Sequence, residues 1–258
     1  MGQTSTIEWT QATWNIARGC TKVNEDCKFC YMYRDSMNGT RYNPKAVTRT
    51  KTVFNMPLRL KTPSLIFTSS LTDFFHPEID SYRAEAWDII RRCPQHTFQI
   101  LTKRPDRILY NLPGDWDKGY PNVWLGASVG SQENIDLANH LLSVPATKHF
   151  LSIEPMWDEV DLHAEHLLRR VGSFSSARYL DWVIVGGESG NDRGKYRYRP
   201  CKLEWIEKII QQCKQTNTPV FVKQLGTHLA KELGLKDRHG KNMEEWPEHL
   251  RVREMMEI

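Results

Sequence analysis

Three cysteines stand within eleven residues: Cys20, six intervening residues, then Cys27-Lys28-Phe29-Cys30. Thiols this close together on a loop can converge on one inorganic centre, because the thiolate is the metal-binding form of cysteine. A [4Fe–4S] cluster is held by thiolates, and three of them leave one iron open for a catalytic ligand. A closed zinc site asks for four ligands. The nearest histidine in sequence is His76, so zinc would need a remote fourth partner. Of the other cysteines, Cys93, Cys201 and Cys213 stand alone, and Cys93 and Cys213 fall on helical faces and read as core. Six cysteines so unevenly spaced suit a metal or cluster site better than a disulfide framework.

Further polar residues follow short apolar runs. Ser69, Ser70 and Asp73 offer hydroxyls and a carboxylate to a ligand's charged groups, or they cap a turn. Lys103 suits a carboxylate or phosphate, or a solvated rim. Ser128 stands near the end of the fourth run, as a ligand contact or a plain loop serine. Glu154 ends an otherwise apolar run, where a carboxylate is costly unless paired or used. Gly186-Gly187-Glu188 combines a backbone that can approach a ligand closely with an acid. Lys223 and Gln224 close the last run. Beyond Glu188, Arg193, Lys195, Tyr196, Arg197, Tyr198 and Arg199 alternate cations with aromatics, a pattern that can pair phosphates and stack bases. Arg41, Lys45, Arg49 and Lys51 add cations near the N-terminus.

The elements that must position these residues are seven apolar runs of four to seven residues, at 12–16, 65–68, 98–102, 123–129, 149–153, 182–185 and 220–223. Such runs fit strands buried on both faces of a parallel sheet. Helical periodicity fills 82–92, 135–142 and 203–214, with Pro94, Pro145 and Pro219 as breakers. The alternation predicts an α/β fold, a partial (β/α) TIM-like barrel ahead of a doubly wound sheet. The domain is expected to span 1–226, with a basic irregular insertion at 38–62, a second insertion at 158–180 and a charged C-terminal extension at 227–258.

The chain has 258 residues, 40% hydrophobic and 26% charged, which excludes disorder, collagen and coiled coil. No run nears the roughly 18 apolar residues of a membrane span. Residues 1–10 carry no signal pattern, so a cytoplasmic protein is expected. Residues 1–62 hold ten Lys/Arg against four Asp/Glu in a chain of net charge +4, which suggests an anionic partner.

The three cysteines after the first run, with Phe29 before the last, resemble the radical S-adenosylmethionine (SAM) superfamily. Their six-then-two spacing departs from that superfamily's usual three-then-two. The chain is more similar to a phage and prophage family of three-cysteine radical-SAM-like proteins. The resembling segments are Ile7-Glu-Trp-Thr10, Thr13-Trp-Asn15, Gly19-Cys-Thr-Lys22, Phe67-Thr-Ser-Ser-Leu-Thr-Asp73-Phe-Phe75 and Leu101-Thr-Lys-Arg-Pro105. Trp124-Leu-Gly126 with Ser128-Val129, Val185-Gly-Gly-Glu-Ser-Gly190 and Val222-Lys-Gln224 complete the series. The resemblance implies a half-barrel with a [4Fe–4S] cluster on Cys20, Cys27 and Cys30 and SAM on the open iron. Ser69, Ser70, Asp73, Ser128, Glu154, Gly186, Gly187, Glu188, Lys223 and Gln224 would contact SAM, with Glu154 and Lys103 near the chemistry. It implies SAM cleavage to a 5′-deoxyadenosyl radical, an external electron donor, and modification or isomerisation of a hypermodified thymidine in phage DNA. Spore photoproduct lyase is a relative in chemistry. Two alternatives stay open: the same chemistry on a peptide or small metabolite, and a zinc-containing nucleic-acid-binding module without catalysis.

Overall fold

The computed structural model describes residues 5–37, 43–163, 166–169 and 177–256. Its nine strands, in chain order, are β1 (Ala12–Trp14), β2 (Ala17–Arg18), β3 (Thr48–Arg49), β4 (Leu65–Thr68), β5 (Thr97–Thr102), β6 (Val123–Ser128), β7 (Lys148–Met156), β8 (Trp182–Gly187) and β9 (Val220–Gln224). The helices are α1 (Tyr31–Met37), α2 (Asp80–Arg92), α3 (Asp136–Ser143), α4 (Leu203–Gln215) and α5 (Gly226–Glu232). Seven strands pair in parallel in the order β1-β4-β5-β6-β7-β8-β9 and curl into a half-barrel, while β2 and β3 form a separate antiparallel pair. No described helix is long and apolar enough to cross a membrane.

The two faces of the sheet explain why it curls. Alternate strand residues, among them Ile66, Ile100, Leu125, Leu151 and Val183, join Trp87 of α2, Leu141 of α3 and Ile206 of α4 in one core. The intervening set, Leu65, Phe67, Trp124, Phe150, Trp182, Ile184 and Phe221, packs with Trp9 and Met256 and includes no helical residue. Helices therefore cover one face only, which decides for the half-barrel over the doubly wound sheet, whose helices lie on both faces. Large rings fill the concave side: Trp9 lies 4.7 Å from Phe67, and Trp182 lies 5.9 Å from Phe150 and 6.2 Å from Phe221.

Both sheet edges are covered. Residues around β3 fold over β1, where the Thr50 N–H donates to the Ile16 carbonyl and Trp14 Nε1 donates to the Phe54 carbonyl. At the other edge the segment after α5 returns along β9: Val222 N–H donates to Val252 O and Glu254 N–H to Val220 O. The boundary expected at residue 226 marks no change of core, since Leu229, Trp246 and Leu250 are buried in the helix-side cluster. Covering exposed edges in this way removes a template for unwanted pairing.

Gly126 makes the concave packing possible. A Cβ there would lie 2.4 Å from the ring of Phe150, itself fully buried. Gly126→Ala is expected to cost about 1–3 kcal/mol through overpacking. In urea denaturation its midpoint falls with an unchanged slope; an unchanged midpoint would mean that Phe150 turns aside freely.

Candidate active site at the sheet mouth

The concave alternation, continued past the aromatic floor, leads from Phe67 to Ser69, Leu101 to Lys103, Trp124 to Ser128, Phe150 to Glu154, Ile184 to Gly186 and Phe221 to Lys223. These residues gather at the C-terminal strand ends, where barrel enzymes carry their chemistry. Lys103 Nζ donates to Ser128 Oγ at 2.7 Å, and Ser128 Oγ donates to the Glu154 carbonyl at 2.9 Å. Lys223 Nζ meets Glu154 Oε1 at 2.6 Å.

Two bulges aim that last pair. Between β7 and β8 the register passes from Ile153–Val185 to Met156–Gly187, and between β8 and β9 from Val185–Val222 to Gly186–Gln224. Each flanking strand carries one extra residue, which re-aims a side chain. β8 contributes only Gly186 between them, so the Lys223 ammonium reaches across to Glu154. Gly186 and Gly187 also permit close packing: a Cβ on Gly187 would lie 2.2 Å from the Leu225 carbonyl oxygen. Gln224 is buried and donates to the Gly187 carbonyl at 2.9 Å.

The cysteine loop lies across this mouth and is held from four sides. On the β4 side, Gly19 N–H donates to the Leu71 carbonyl, and Asn15 binds Ser70 Oγ and the Leu71 N–H. The Tyr31 hydroxyl donates to the Ser70 carbonyl and that of Tyr33 to the Cys20 carbonyl. From β5, Arg104 Nη2 donates to Thr21 O and Oγ1 at 2.8 and 2.9 Å. From β6 and β7, the Gly130 N–H and Trp157 Nε1 donate to the buried Asp26 carboxylate at 3.0 and 2.7 Å. From β8, Glu188 takes a two-pronged bond from Arg199, whose Nη1 donates to the Glu25 carbonyl at 2.8 Å. The Arg199 guanidinium lies 5.6 Å from the Phe29 ring and 4.8 Å from that of Trp157.

Cys20, Cys27 and Cys30 are free thiols, half-buried. Cys20 and Cys30 pack against Met32, Tyr33 and Tyr196. Burial, with the Asp73 carboxylate nearby, pushes the Cys20 thiol up to about 11, against the opposing pull of Arg104. Burial also raises Cys30, which Lys103 is near enough to counter in part. Burial and the three neighbouring cysteines push the Tyr33 phenol up to about 12. A bound metal centre would take up the thiolate charge that burial disfavours at Cys20 and Cys30. Among the described residues, no three His, Cys, Asp or Glu converge closely enough for a single ion. A cubane needs less convergence, because each thiolate binds a different iron. Beyond the loop, Ser69 Oγ and Thr72 Oγ1 are buried without a partner, and Ser69 holds φ at 71°. A strained serine with an unspent hydroxyl suits a polar ligand. The donor set therefore fits a cluster with an organic ligand beside it.

The other expected site residues divide. Asp73 is spent inside the protein, accepting from Phe75 N–H, Thr102 Oγ1, Lys103 N–H and Arg104. In the basic–aromatic run, Tyr196 and Arg199 turn inward, Tyr198 is half-buried and Arg193, Lys195 and Arg197 are exposed. Arg49 pairs with Glu85 of α2 and stacks on Phe54. Arg41 lies outside the described residues. Sequence reasoning missed Asn15, Asp26, Arg104 and Trp157. Arg104 had a signal, since a buried carboxylate such as Asp73 needs a cation and Arg104 sits in the motif already singled out.

The Glu188–Arg199 pair is 5% and 14% exposed, and removing one partner of such a pair costs roughly 3–5 kcal/mol. If even ~1.4 kcal/mol of this falls on loop closure, the open population rises tenfold. Glu188→Gln and Arg199→Gln are each expected to speed tryptic cleavage at the exposed Lys22 and Lys28, as read by mass spectrometry of timed digests. Equal rates would show that the loop is held without the pair.

Three solved structures of spore photoproduct lyase share this architecture. A variant with a dinucleoside spore photoproduct aligns at TM-score 0.52 and 12% identity, over 80% of this chain and 74% of that one. A complex with the same dinucleoside gives 0.50 and 11% over 80% and 74%. A second variant, with bound AdoMet and the dinucleoside, gives 0.51 and 11% over 83% and 76%. At these identities the likeness is one of fold. No curated protein matches the chain. The family model described as protein of unknown function (DUF5131) matches residues 4–251, and the chain belongs to that family.

Proposed function

We propose that this protein is a radical SAM enzyme acting on a nucleic-acid base. The observation that carries the reading is three half-buried cysteines tied across the C-terminal mouth of a half-barrel, beside a ring of polar strand ends. Cys20, Cys27 and Cys30 would hold a [4Fe–4S] cluster, which with one electron from an external donor would supply the reductive cleavage of SAM, the source of a 5′-deoxyadenosyl radical. Ser69 and Ser70 would take the charged end of SAM, with Ser128 at the ribose and Gly186 and Gly187 lending a close backbone. Glu154, Lys103, Lys223 and Gln224 would face the reacting groups. Asp73 and Glu188 would serve at one remove, through Arg104 and Arg199. The aromatic floor excludes water from below, as radical chemistry requires.

For the substrate, the fold relatives bind a dinucleoside spore photoproduct, and Arg193, Lys195 and Arg197 are exposed on the segment whose Tyr196 packs with Cys20 and Cys30. A phage DNA substrate bearing a modified thymidine, rearranged in the cytoplasm of the host, fits this surface. A base drawn out of the duplex would enter the mouth.

Anaerobic reconstitution is expected to load about four irons and four sulfides per chain, and dithionite with SAM then yields 5′-deoxyadenosine. The Cys20→Ala/Cys27→Ala/Cys30→Ala variant loads neither. Zinc without sulfide, or a cluster that survives in that variant, would overturn the reading in favour of a binding module.

A further inference from the structure

We infer that the Asp73–Arg104 pair sets the reduction potential of the centre on Cys20, with Arg104 as a positioning residue acting through that cysteine's sulfur. This rests on the cluster reading above. Both side chains are only 7% exposed. Arg104 Nη1 lies 3.7 Å from Cys20 Sγ and 3.2 Å from Asp73 Oδ2, while Nη2 is anchored on Thr21. Asp73 in turn is fixed by Thr102 Oγ1 at 2.6 Å and the Lys103 N–H at 3.0 Å, and the Arg104 N–H donates to Thr102 Oγ1 at 2.9 Å. Every group that aims the guanidinium is thus part of the protein.

The arrangement puts a permanent cation on one ligand sulfur and a carboxylate directly behind it. Arginine is charged at every accessible pH and its fork spans both Cys20 and Thr21, which a lysine ammonium does not. One electron added to an iron–sulfur centre adds negative charge that the sulfurs share, and hydrogen bonds and charges near those sulfurs tune the potential. The guanidinium favours the reduced state. The carboxylate opposes it and holds the guanidinium in place. In a site shielded from water neither influence is strongly screened.

The two groups therefore make opposite predictions, which a merely structural role does not. With dithionite supplying the single electron, the potential is read from the EPR signal of the reduced cluster in the reconstituted full chain. Arg104→Gln is expected to lower the potential and Asp73→Asn to raise it. Each shift should be at least a tenfold change in the reduction equilibrium, 59 mV for one electron. Arg104→Lys, which keeps the charge and loses the fork, falls between wild type and Arg104→Gln. Unchanged potentials, or both moving in the same direction, overturn the inference. If Arg104→Gln takes up no cluster, the sign in Asp73→Asn and a potential of Arg104→Lys below that of wild type decide it. A wild-type chain that loads no cluster defeats the cluster reading instead, so the two failures are distinct.

Discussion

Three buried carboxylates, Asp26, Asp73 and Glu188, hold a loop of cysteines against the end of a sheet. An acid removed from water is costly unless its charge is met by donors. Each of these is met by groups outside its own segment: Asp26 by Gly130 and Trp157, Asp73 by Thr102 to Arg104, Glu188 by Arg199. The cost of leaving any of them unpaired is what fixes the loop's position relative to β5, β6 and β8.

A second constraint is the division of the sheet by parity. Helix-facing positions are mostly aliphatic, with Trp14 and Phe98 among them, while concave positions are mostly aromatic low in the barrel and polar at its rim. The change from ring to charge along a single face sets the depth of the pocket. Above Gly126 and Phe150, Lys103, Ser128, Glu154 and Lys223 form a connected network. The two bulges around β8 interrupt the regular pairing beside Glu154 and Lys223, which the alternation already turns to one face.

Much of this was legible in the residues. The expected run at 65–68 coincides with β4, and the helices expected at 82–92, 135–142 and 203–214 lie within two residues of α2, α3 and α4 at either end. Continuous burial makes such strands conspicuous. Which face each strand residue would take was not legible, because a run apolar on both sides carries no alternation to read. The rim residues were found because polarity at the end of an apolar run is anomalous. Arg199 was misread as part of a nucleic-acid surface because its partner, Glu188, lies eleven residues away, and an alternating basic–aromatic run looks alike whether it faces solvent or packs. Asp26 gave no sign, since its donors lie more than a hundred residues downstream.

The aromatic floor has a consequence for how the molecule comes to exist. It is built from both ends of the chain, with Ile7 and Trp9 packing in the same cluster as Met256, while residues 252–254 complete the edge of β9. During synthesis the cysteine loop, β1 and most of the sheet leave the ribosome long before the residues that seal the concave side. Contacts of such long sequence separation form late. Until they do, the nascent half-barrel presents a groove lined with rings, open to water and to any chaperone that captures exposed aromatics.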